Sequence, residues 1–305
     1  MSQIANPSRP TLLNWIEIAG LGLIWGASFM SVHLALNGIG PFGVATGRIV
    51  IAALTLSLLC LIRRLPLPSL RRDRKVWLHA FGMAFFSNAA PFTLLSWAQL
   101  RVTSGFAGIT MAMVPLFTLV LAHALLPGER LTLPRIAGFA LGLVGVVLLI
   151  GTDALQPGGA QLESIARMVG ILATLCYAIG SIITRRCPPV DPIAFSTAAL
   201  LIASLMILPV ALWVEGIPRA LPPVSALAAL AYLGLLPTAL ATLILVHVIR
   251  TAGPTFLTQT NYHVPVWSVL FGTLLLAEPL PAQFLVALGL ILGGLLLSRI
   301  ALRNA

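Results

Sequence analysis

Ten apolar segments, each about long enough to cross a lipid bilayer, follow one another along the chain. A transmembrane helix needs about 20 mostly apolar residues, whereas membrane-barrel strands are about ten residues long and alternate in polarity. Of the 305 residues, 59% are hydrophobic and only 9% are charged. Soluble domains carry about 25% charged residues, so a soluble enzyme, a disordered chain and a secreted disulfide scaffold are excluded. We predict an all-α integral membrane protein with ten transmembrane helices near residues 12–35, 41–62, 76–99, 103–125, 134–151, 167–185, 192–213, 224–248, 254–275 and 281–299.

The basic residues predict the orientation of the chain in the membrane. There are 18 Lys and Arg against 8 Asp and Glu, which gives a net charge of +10. These residues concentrate between the apolar segments, so we expect the lipid bilayer as a partner and no nucleic acid. With a cytoplasmic N-terminus, 14 of them fall in cytoplasmic segments, 3 in external segments, and Arg48 within the second apolar segment. The positive-inside rule then places both termini in the cytoplasm.

The two halves of the sequence resemble each other at an offset of about 150 residues. The motif MVP at 113–115 recurs as HVP at 263–265. Because each half holds five apolar segments, an odd number, the second half enters the membrane inverted relative to the first. Inverted repeats are typical of secondary transporters, which bind substrate near the bilayer midplane between the repeats. We predict a central cavity between a first repeat at 1–151 and a second, inverted repeat at 167–305, joined by an external loop at 152–166.

Short motifs occur in both halves, and those around the VP dipeptide and the following glutamate occur in each half. They are LIWGASF at 23–29, PF at 41–42 leading to Arg48, VPL at 114–116 followed by GERL at 128–131, VPV at 264–266, and EPL at 278–280. With these motifs the sequence resembles the EamA-type branch of the drug/metabolite transporter superfamily, and within it the bacterial aromatic amino-acid exporters. The resemblance implies ten helices, cytoplasmic termini, a central cavity, a location in the bacterial inner membrane and the export of small metabolites.

Polar, aromatic and methionine side chains near the expected midplane are candidates for substrate binding. Amides and phenols can orient the ammonium and carboxylate groups of an amino acid, while aromatic and methionine side chains supply apolar area. The alternative is that the polar groups form interhelical hydrogen bonds. The candidates are Trp25, His79, Asn88, Met111, Tyr177, Gln259, Asn261, Tyr262 and His263.

Four prolines near the middles of apolar segments are candidate hinges: Pro91, Pro115, Pro237 and Pro265. An interior proline bends a helix and frees the carbonyl four residues earlier, which must find a partner in the bilayer. We expect the water of a central cavity to supply that partner at Ser87, Met111, Leu233 and Asn261. The alternative is a static kink that serves packing only.

Arg48 is the arginine that lies inside an apolar segment. Its long side chain can snorkel toward the membrane surface, which is the interpretation that we favour at this point. The alternative is that its guanidinium binds a carboxylate in bidentate fashion, including one from a substrate.

The carboxylates lie in loops or near the ends of the apolar segments. A carboxylate proton relay of the kind found in pumps is therefore not predicted, although a histidine could couple transport to protons. We expect Glu129 and Glu278 to cap the helices that follow them. Glycine stripes on the fifth segment (Gly138, Gly142 and Gly145) and on the tenth (Gly289 and Gly293) predict close packing inside the bundle and a monomer or weak homodimer.

These patterns favour a secondary transporter over other classes of membrane protein. We expect export of small metabolites, most simply aromatic and other neutral amino acids, by alternating access. A multidrug or nucleotide-related metabolite exporter of the same fold is the alternative. An intramembrane enzyme is disfavoured because no Asp lies in an apolar segment and no G-x-S-x-G motif occurs. We expect no metal, and no cofactor, since a Walker-type phosphate loop is absent.

Overall fold

The computed structural model describes residues 10–126, 132–150, 161–217 and 220–303. These residues form fourteen α-helices and no strand. The helices of the first half are α1 (Leu12–Leu36), α2 (Pro41–Ile62), α3 (Arg74–Met83), α4 (Ala90–Ala98), α5 (Ser104–Thr110), α6 (Val114–Leu125) and α7 (Leu133–Ile150). Those of the second half are α8 (Gln161–Arg185), α9 (Pro192–Val214), α10 (Val224–Gly234), α11 (Ala241–Ala252), α12 (Pro254–Leu257), α13 (Thr260–Leu275) and α14 (Ala282–Arg303).

The helix bounds agree with the predicted segments to within a few residues, with α8 as the main exception. This helix begins at Gln161, six residues before its predicted start at 167. Glu163 lies in its first turn and forms an ion pair with Arg167 one turn later. A carboxylate near a helix N-terminus and an i,i+4 ion pair both stabilise the extra turn. Arg167 is therefore part of the helix and not of the preceding loop.

Two wide turns of π-helix interrupt apolar segments at equivalent places in the two halves. One turn, Ala84–Ala89, joins α3 to α4, and the other, Leu235–Leu240, joins α10 to α11. Corresponding residues of the two turns are 151 positions apart. A short 3-10 turn, Met111–Met113, also separates α5 from α6. Single π turns inside α-helices occur frequently at functional sites.

Polar contacts group the helix ends into two sets. At the first end, which we call the basic end, Asn14 donates to Thr251 at 2.8 Å, and Arg250 contacts Asp191 at 3.2 Å. This end also holds a basic hollow of about 380 Å³ beside Pro188, lined by residues 71–76. At the opposite end, the N-terminus of α2 meets the C-terminus of α9, and the N-terminus of α5 meets the link between α13 and α14.

Two carboxylates of the second half cap helices of the first half at the opposite end. Glu215 accepts the backbone N–H groups of Phe42 and Gly43, both at 2.8 Å. Glu278 accepts the N–H and the hydroxyl of Ser104, both at 2.8 Å, and the N–H of Gly105 at 3.2 Å. The expectation that Glu278 caps the helix following it is therefore wrong, because it binds the N-terminus of α5. Glu129 lies outside the described residues.

Glycines allow close approach of α1 to α13. A Cβ atom added at Gly22 would meet the side chain of His263, and one added at Gly26 would meet Trp267 and the backbone at Ser268. Gly22 and Gly26 are one turn apart, so they form a small-xxx-small face. Gly26 therefore serves helix packing.

The predicted glycine stripes contact each other where α7 crosses α14, with one correction. A Cβ atom added at Gly294 would meet the backbone at Gly138 and Gly142, and one added at Gly145 would meet Ile291. Gly289, which was predicted to belong to this stripe, has no neighbour within 4 Å. The residue on α14 that makes the closest approach is therefore Gly294.

Six helical stretches among the described residues are long and apolar enough to cross a membrane. Two shorter apolar helices, Ile136–Leu149 and Ala282–Leu297, accompany them. The six are Leu12–Leu36, Pro41–Ile62, Ser104–Leu125, Leu162–Arg185, Pro192–Val214 and Val224–Ala252.

Candidate substrate-binding site

Two side-chain hydrogen bonds join helix α1 to the second π turn and to α10, which precedes that turn. The indole N–H of Trp25 donates to the carbonyl of Pro237 at 3.0 Å. From α10, the Tyr232 hydroxyl donates to the carbonyl of Ile24 at 3.1 Å. A π turn widens the helix and leaves carbonyls available to outside donors. Trp25, predicted as a substrate residue, therefore also fastens α1 to the irregular part of the neighbouring segment.

The same side-chain bond stabilises both π turns. The Thr238 hydroxyl donates to the carbonyl of Leu233, five residues earlier, at 2.8 Å. The Asn88 amide donates to the carbonyl of Met83, also five residues earlier, at 3.2 Å. Thr238 and Asn88 are 150 positions apart, which is the repeat offset seen in the sequence. Each half thus satisfies a backbone carbonyl at its π turn, but with a different type of side chain.

Two of the carbonyls that prolines free have partners within the protein. Leu233 accepts from the Thr238 hydroxyl, as described above, and Met111 accepts the backbone N–H of Val114 in the 3-10 turn. The expectation that cavity water supplies these partners is wrong at both positions. Pro237 lies inside the second π turn, whereas Pro91 and Pro115 each lie in the first turn of the helix that follows an irregular turn. Pro265 lies inside α13.

Arg48 is buried inside the bundle, with 9% of its surface exposed. Its Nε–H donates to the Thr238 hydroxyl at 2.8 Å, and its Cζ lies 3.8 Å from the centre of the Phe92 ring. The Phe92 ring in turn meets the ring of Tyr177 edge-on, with centroids 6.3 Å apart. The side chain therefore does not snorkel to the membrane surface, and the interpretation favoured from the sequence is wrong.

The charge of Arg48 has no anionic partner in the described part of the chain. It is the one charged residue that is buried there, and the ion pairs found there involve other residues. Its Nη1 and Nη2 atoms donate to no protein group and are not fully enclosed. The phenols of Tyr177 and Tyr232 lie close enough to interact electrostatically with the guanidinium. The site is thus a positive charge among aromatic rings and hydroxyl groups.

Three predicted substrate residues gather on one apolar cluster close to this arginine. Trp25, Met111 and Tyr177 all pack against the same buried side chains. They come from α1, from the 3-10 turn and from α8, so the cluster joins the two halves. The buried members are Phe29, Leu95, Ala107, Ala173 and Val264. Asn88, 6% exposed, lies on the π turn that leads into the helix bearing Phe92.

The other predicted residues lie apart from this cluster. Tyr262 packs against a second cluster that includes Phe106, and the Nδ1 atom of His79 lies 2.7 Å from the carbonyl of Lys75 near the basic end. His263 is half-buried and packs on α1 at Gly22. The remaining two are Gln259, in the turn before α13, and Asn261, in its first turn.

Two surface hollows lie at the two ends of the bundle. The basic hollow was described above, and the second, of about 490 Å³, is lined mainly by apolar side chains between Ile39 and Leu230. Neither hollow is lined by any residue predicted to bind substrate. Over the described ranges, no group of three His, Cys, Asp or Glu side chains is placed to hold a metal ion.

Arg48 is the residue of this site that sequence reasoning undervalued. The signal was present, since Arg48 is the one arginine well inside an apolar segment. The aromatic ring that faces it, Phe92, comes from a different segment, and so does its hydrogen-bond acceptor, Thr238. Helical periodicity does not reveal which segments are neighbours, so these partners could not be assigned.

Comparison with known proteins decides the class of molecule. The model of the EamA-like transporter family matches twice, at residues 15–151 and at 164–300. The chain belongs to this family. It is therefore a multi-pass membrane transporter for small metabolites, built from two EamA repeats.

Individual relatives extend over most of the chain. An uncharacterized inner membrane transporter of Escherichia coli (strain K12), YedA, is 29% identical over 275 residues, which cover 89% of this chain and 85% of the relative. A probable terminal-alkyne amino-acid exporter of Streptantibioticus cattleyicolor is 27% identical over 278 residues, covering 90% and 89%. One crystal structure shares the fold with a TM-score of 0.68 at 22% identity, over 97% of this chain and 99% of that one.

Proposed function

We propose that this protein exports amino acids, aromatic and other neutral ones, across the bacterial inner membrane by alternating access. In this proposal the fourteen helices form ten transmembrane spans, arranged as inverted repeats at 1–151 and 167–305 around a central cavity. Both termini are cytoplasmic, and the working unit is a monomer or weak homodimer. The similarity to a probable amino-acid exporter supports the substrate class.

The observation that carries the proposal is the pair of equivalent π turns. They lie at Ala84–Ala89 and Leu235–Leu240, 151 positions apart, which is within two positions of the offset of 149 between the two family matches. Trp25 from α1 binds one of them directly. Discontinuous helices near the interface of inverted repeats form the substrate sites of secondary transporters. The two turns, with Pro91 and Pro237 beside or within them, are the proposed hinges on either side of the site.

The aromatic surroundings support a broad specificity. The Phe92 ring faces Arg48 and meets the Tyr177 ring edge-on, and Trp25 packs on the same apolar cluster as Tyr177. An apolar pocket discriminates one methylene group by only about 1–3 kcal/mol. Several neutral amino acids should therefore share one site. A multidrug exporter of the same fold would prefer apolar cations, which the positive charge of Arg48 disfavours.

The position of the acidic residues supports transport without an obligatory proton relay. Glu17 and Asp191 lie at the basic end, while Glu215 and Glu278 lie at the opposite end. None of these four carboxylates contacts Arg48. Facilitated export down the amino-acid gradient fits this arrangement, and coupling through His263 is the alternative.

A flux measurement in proteoliposomes tests the proposed function. Purified protein should move labelled L-phenylalanine down its gradient at equal internal and external pH and without ATP, and unlabelled neutral amino acids should compete. Movement of a cationic dye without movement of any amino acid would contradict the substrate class. An absolute requirement for a pH gradient that disappears in His263→Gln would establish histidine coupling instead. Absence of flux for every solute in correctly inserted protein would contradict transport as such.

A further inference from the structure

We propose that Arg48 is the binding site for the carboxylate group of the transported solute. This inference rests on the proposed function, and it adds a recognition element that defines the substrate class. The solute must carry a carboxylate, as an amino acid does, and a simple cation or an uncharged drug is not recognised in the same way.

The first step of the argument is the missing countercharge. A charged side chain at membrane depth is costly and normally pairs with an opposite charge or lines a water-filled path. Arg48 is nine-tenths buried and has no carboxylate partner among the described residues. The Phe92 ring and the Thr238 hydroxyl satisfy it only in part. An anion bound from outside the protein supplies the missing opposite charge.

The second step is the geometry of the guanidinium. Its Nε–H is already committed to the Thr238 hydroxyl, which itself donates to the Leu233 carbonyl and is thereby fixed in direction. The Phe92 ring lies 3.8 Å from Cζ and limits the orientation of the guanidinium plane. Nη1 and Nη2 remain without a protein acceptor and are not fully enclosed. Guanidinium groups bind carboxylates through pairs of parallel N–H···O bonds, so a preoriented group with two free nitrogens suits a carboxylate well.

The third step is the position between the halves. Arg48 and Phe92 belong to the first half, on α2 and α4, whereas Tyr177 and Thr238 belong to the second, on α8 and the π turn. A carboxylate bound to Arg48 therefore lies where both halves meet. Because Thr238 is part of the π turn, any change in that turn moves the hydrogen-bond acceptor of Arg48. Substrate recognition and the proposed hinge are thus linked through one hydroxyl group.

The experiment compares solutes that differ only in the carboxylate. The assay follows labelled L-phenylalanine in proteoliposomes, with unlabelled L-phenylalanine or L-phenylalaninamide as competitor. In the wild-type protein the acid should compete well and the amide poorly. Hydrogen bonds to charged groups imply a loss on the order of tenfold to a hundredfold in apparent affinity when the charge is removed. Arg48→Gln should show this loss for the acid and little change for the amide.

A matched control variant tests whether the effect is specific to Arg48 or follows the loss of any arginine near aromatic rings. Arg167 also lies near aromatic rings, Phe106 and Phe284, but it pairs with Glu163 on its own helix. Arg167→Gln should keep the wild-type preference for the acid. If Arg48→Gln keeps that preference too, the proposal is overturned.

A second variant and a binding measurement cover the remaining cases. If Arg48→Gln does not fold, Thr238→Val decides, because it keeps the charge but removes the acceptor of Nε. It should raise the KM for phenylalanine several-fold and leave the KM for the amide unchanged, and equal effects on both would overturn the proposal.

If the wild-type protein moves no amino acid, the proposed substrate is wrong, and a thermal unfolding measurement still tests whether Arg48 binds a carboxylate. 3-Phenylpropanoate should then raise the Tm of the wild type more than 3-phenylpropanamide does, and this difference should vanish without Arg48.

Discussion

Glu278 illustrates how a single side chain joins distant parts of this molecule. Its carboxylate binds two N–H groups and one hydroxyl at the start of α5, 174 and 173 residues away in the chain. The first N–H groups of a helix have no partner within the helix, and a negative charge there is favoured by the helix dipole. Glu215 does the same for α2. These contacts stabilise the packing between halves as well as the helix ends.

We therefore expect Glu278→Ala to lower the free energy of unfolding by about 1–2 kcal/mol, because it removes a charged cap. Thermal unfolding of the purified protein in detergent measures the effect as a Tm lower by a few degrees. Glu163→Ala is the control, since Glu163 is an exposed carboxylate in an i,i+4 pair at the start of α8 and its loss should cost less, about 0.5–1 kcal/mol. Equal Tm values for the two variants would show that the Glu278 cap contributes no more than this exposed carboxylate.

The contacts of single residues are what the sequence predicted least well. Trp25, Met111 and Tyr177 could be selected from residue type and depth, and the structure brings them onto one cluster. The partners of Arg48 and Glu278 could not, because each contact joins different helices of the fold. A membrane sequence gives the depth of a side chain with good accuracy but not the identity of its neighbour.

The segment that contains α10 and α11 shows how much of a single structural element the sequence predicts. Their segment was predicted as one helix over 224–248, and both the start at Val224 and its apolar character are confirmed. The wide turn at Leu235–Leu240 was not predicted. Apolar periodicity averages over several turns, so one additional residue in a turn leaves little trace in the sequence. Pro237 marks the place, and the Thr238 hydroxyl determines how the freed carbonyl is satisfied.

Replacing Pro237 tests whether the wide turn matters for transport. Pro237→Ala restores an N–H that can bind the Leu233 carbonyl, so the segment can become a regular helix. We expect equal or higher thermal stability and a several-fold slower flux of phenylalanine in proteoliposomes. Pro209→Ala is the control, since Pro209 also lies inside a helix but on its exposed side. An unchanged flux in Pro237→Ala would assign the proline a purely static role.

The α1–α13 contact gives a second test at this scale. Gly26→Ala adds a Cβ atom where Trp267 and the backbone of Ser268 already lie, so the helices must separate. Overpacking of this kind costs about 1–3 kcal/mol. Gly20→Ala on the same helix meets nothing within 4 Å and should be neutral or gain up to about 1 kcal/mol from helix propensity. Gly26→Ala should therefore lower the Tm while Gly20→Ala leaves it unchanged or raises it, and an equal Tm in the two variants would refute close packing at Gly26.

At the scale of the whole molecule, the contacts at the two ends of the bundle constrain the path of the chain. The start of α1, the end of α11 and the start of α9 share the basic end. The starts of α2 and α5 share the opposite end with the loops after α9 and α13. The predicted segments place these helix ends in the same two groups, because segment length is a strong signal.

Reporter fusions test the proposed orientation. Fusions after Leu67 and at the C-terminus should report the cytoplasm, where the basic loops are retained. Fusions at Gln156 and after Leu221 should report the outside. The same side for Gln156 and the C-terminus would exclude an inverted arrangement with five spans in each half.

The two carboxylate caps also bear on how the chain matures during synthesis. Ser104 leaves the ribosome 174 residues before Glu278, and Phe42 leaves it 173 residues before Glu215. At about 5–20 residues per second, each helix start waits about 9–35 s for its carboxylate. Until then, water at the membrane surface must hydrate those N–H groups. The second repeat therefore supplies caps to the first, so a nascent chain that stops before Glu215 still lacks both carboxylates, although Thr103 already caps the Phe106 N–H of α5.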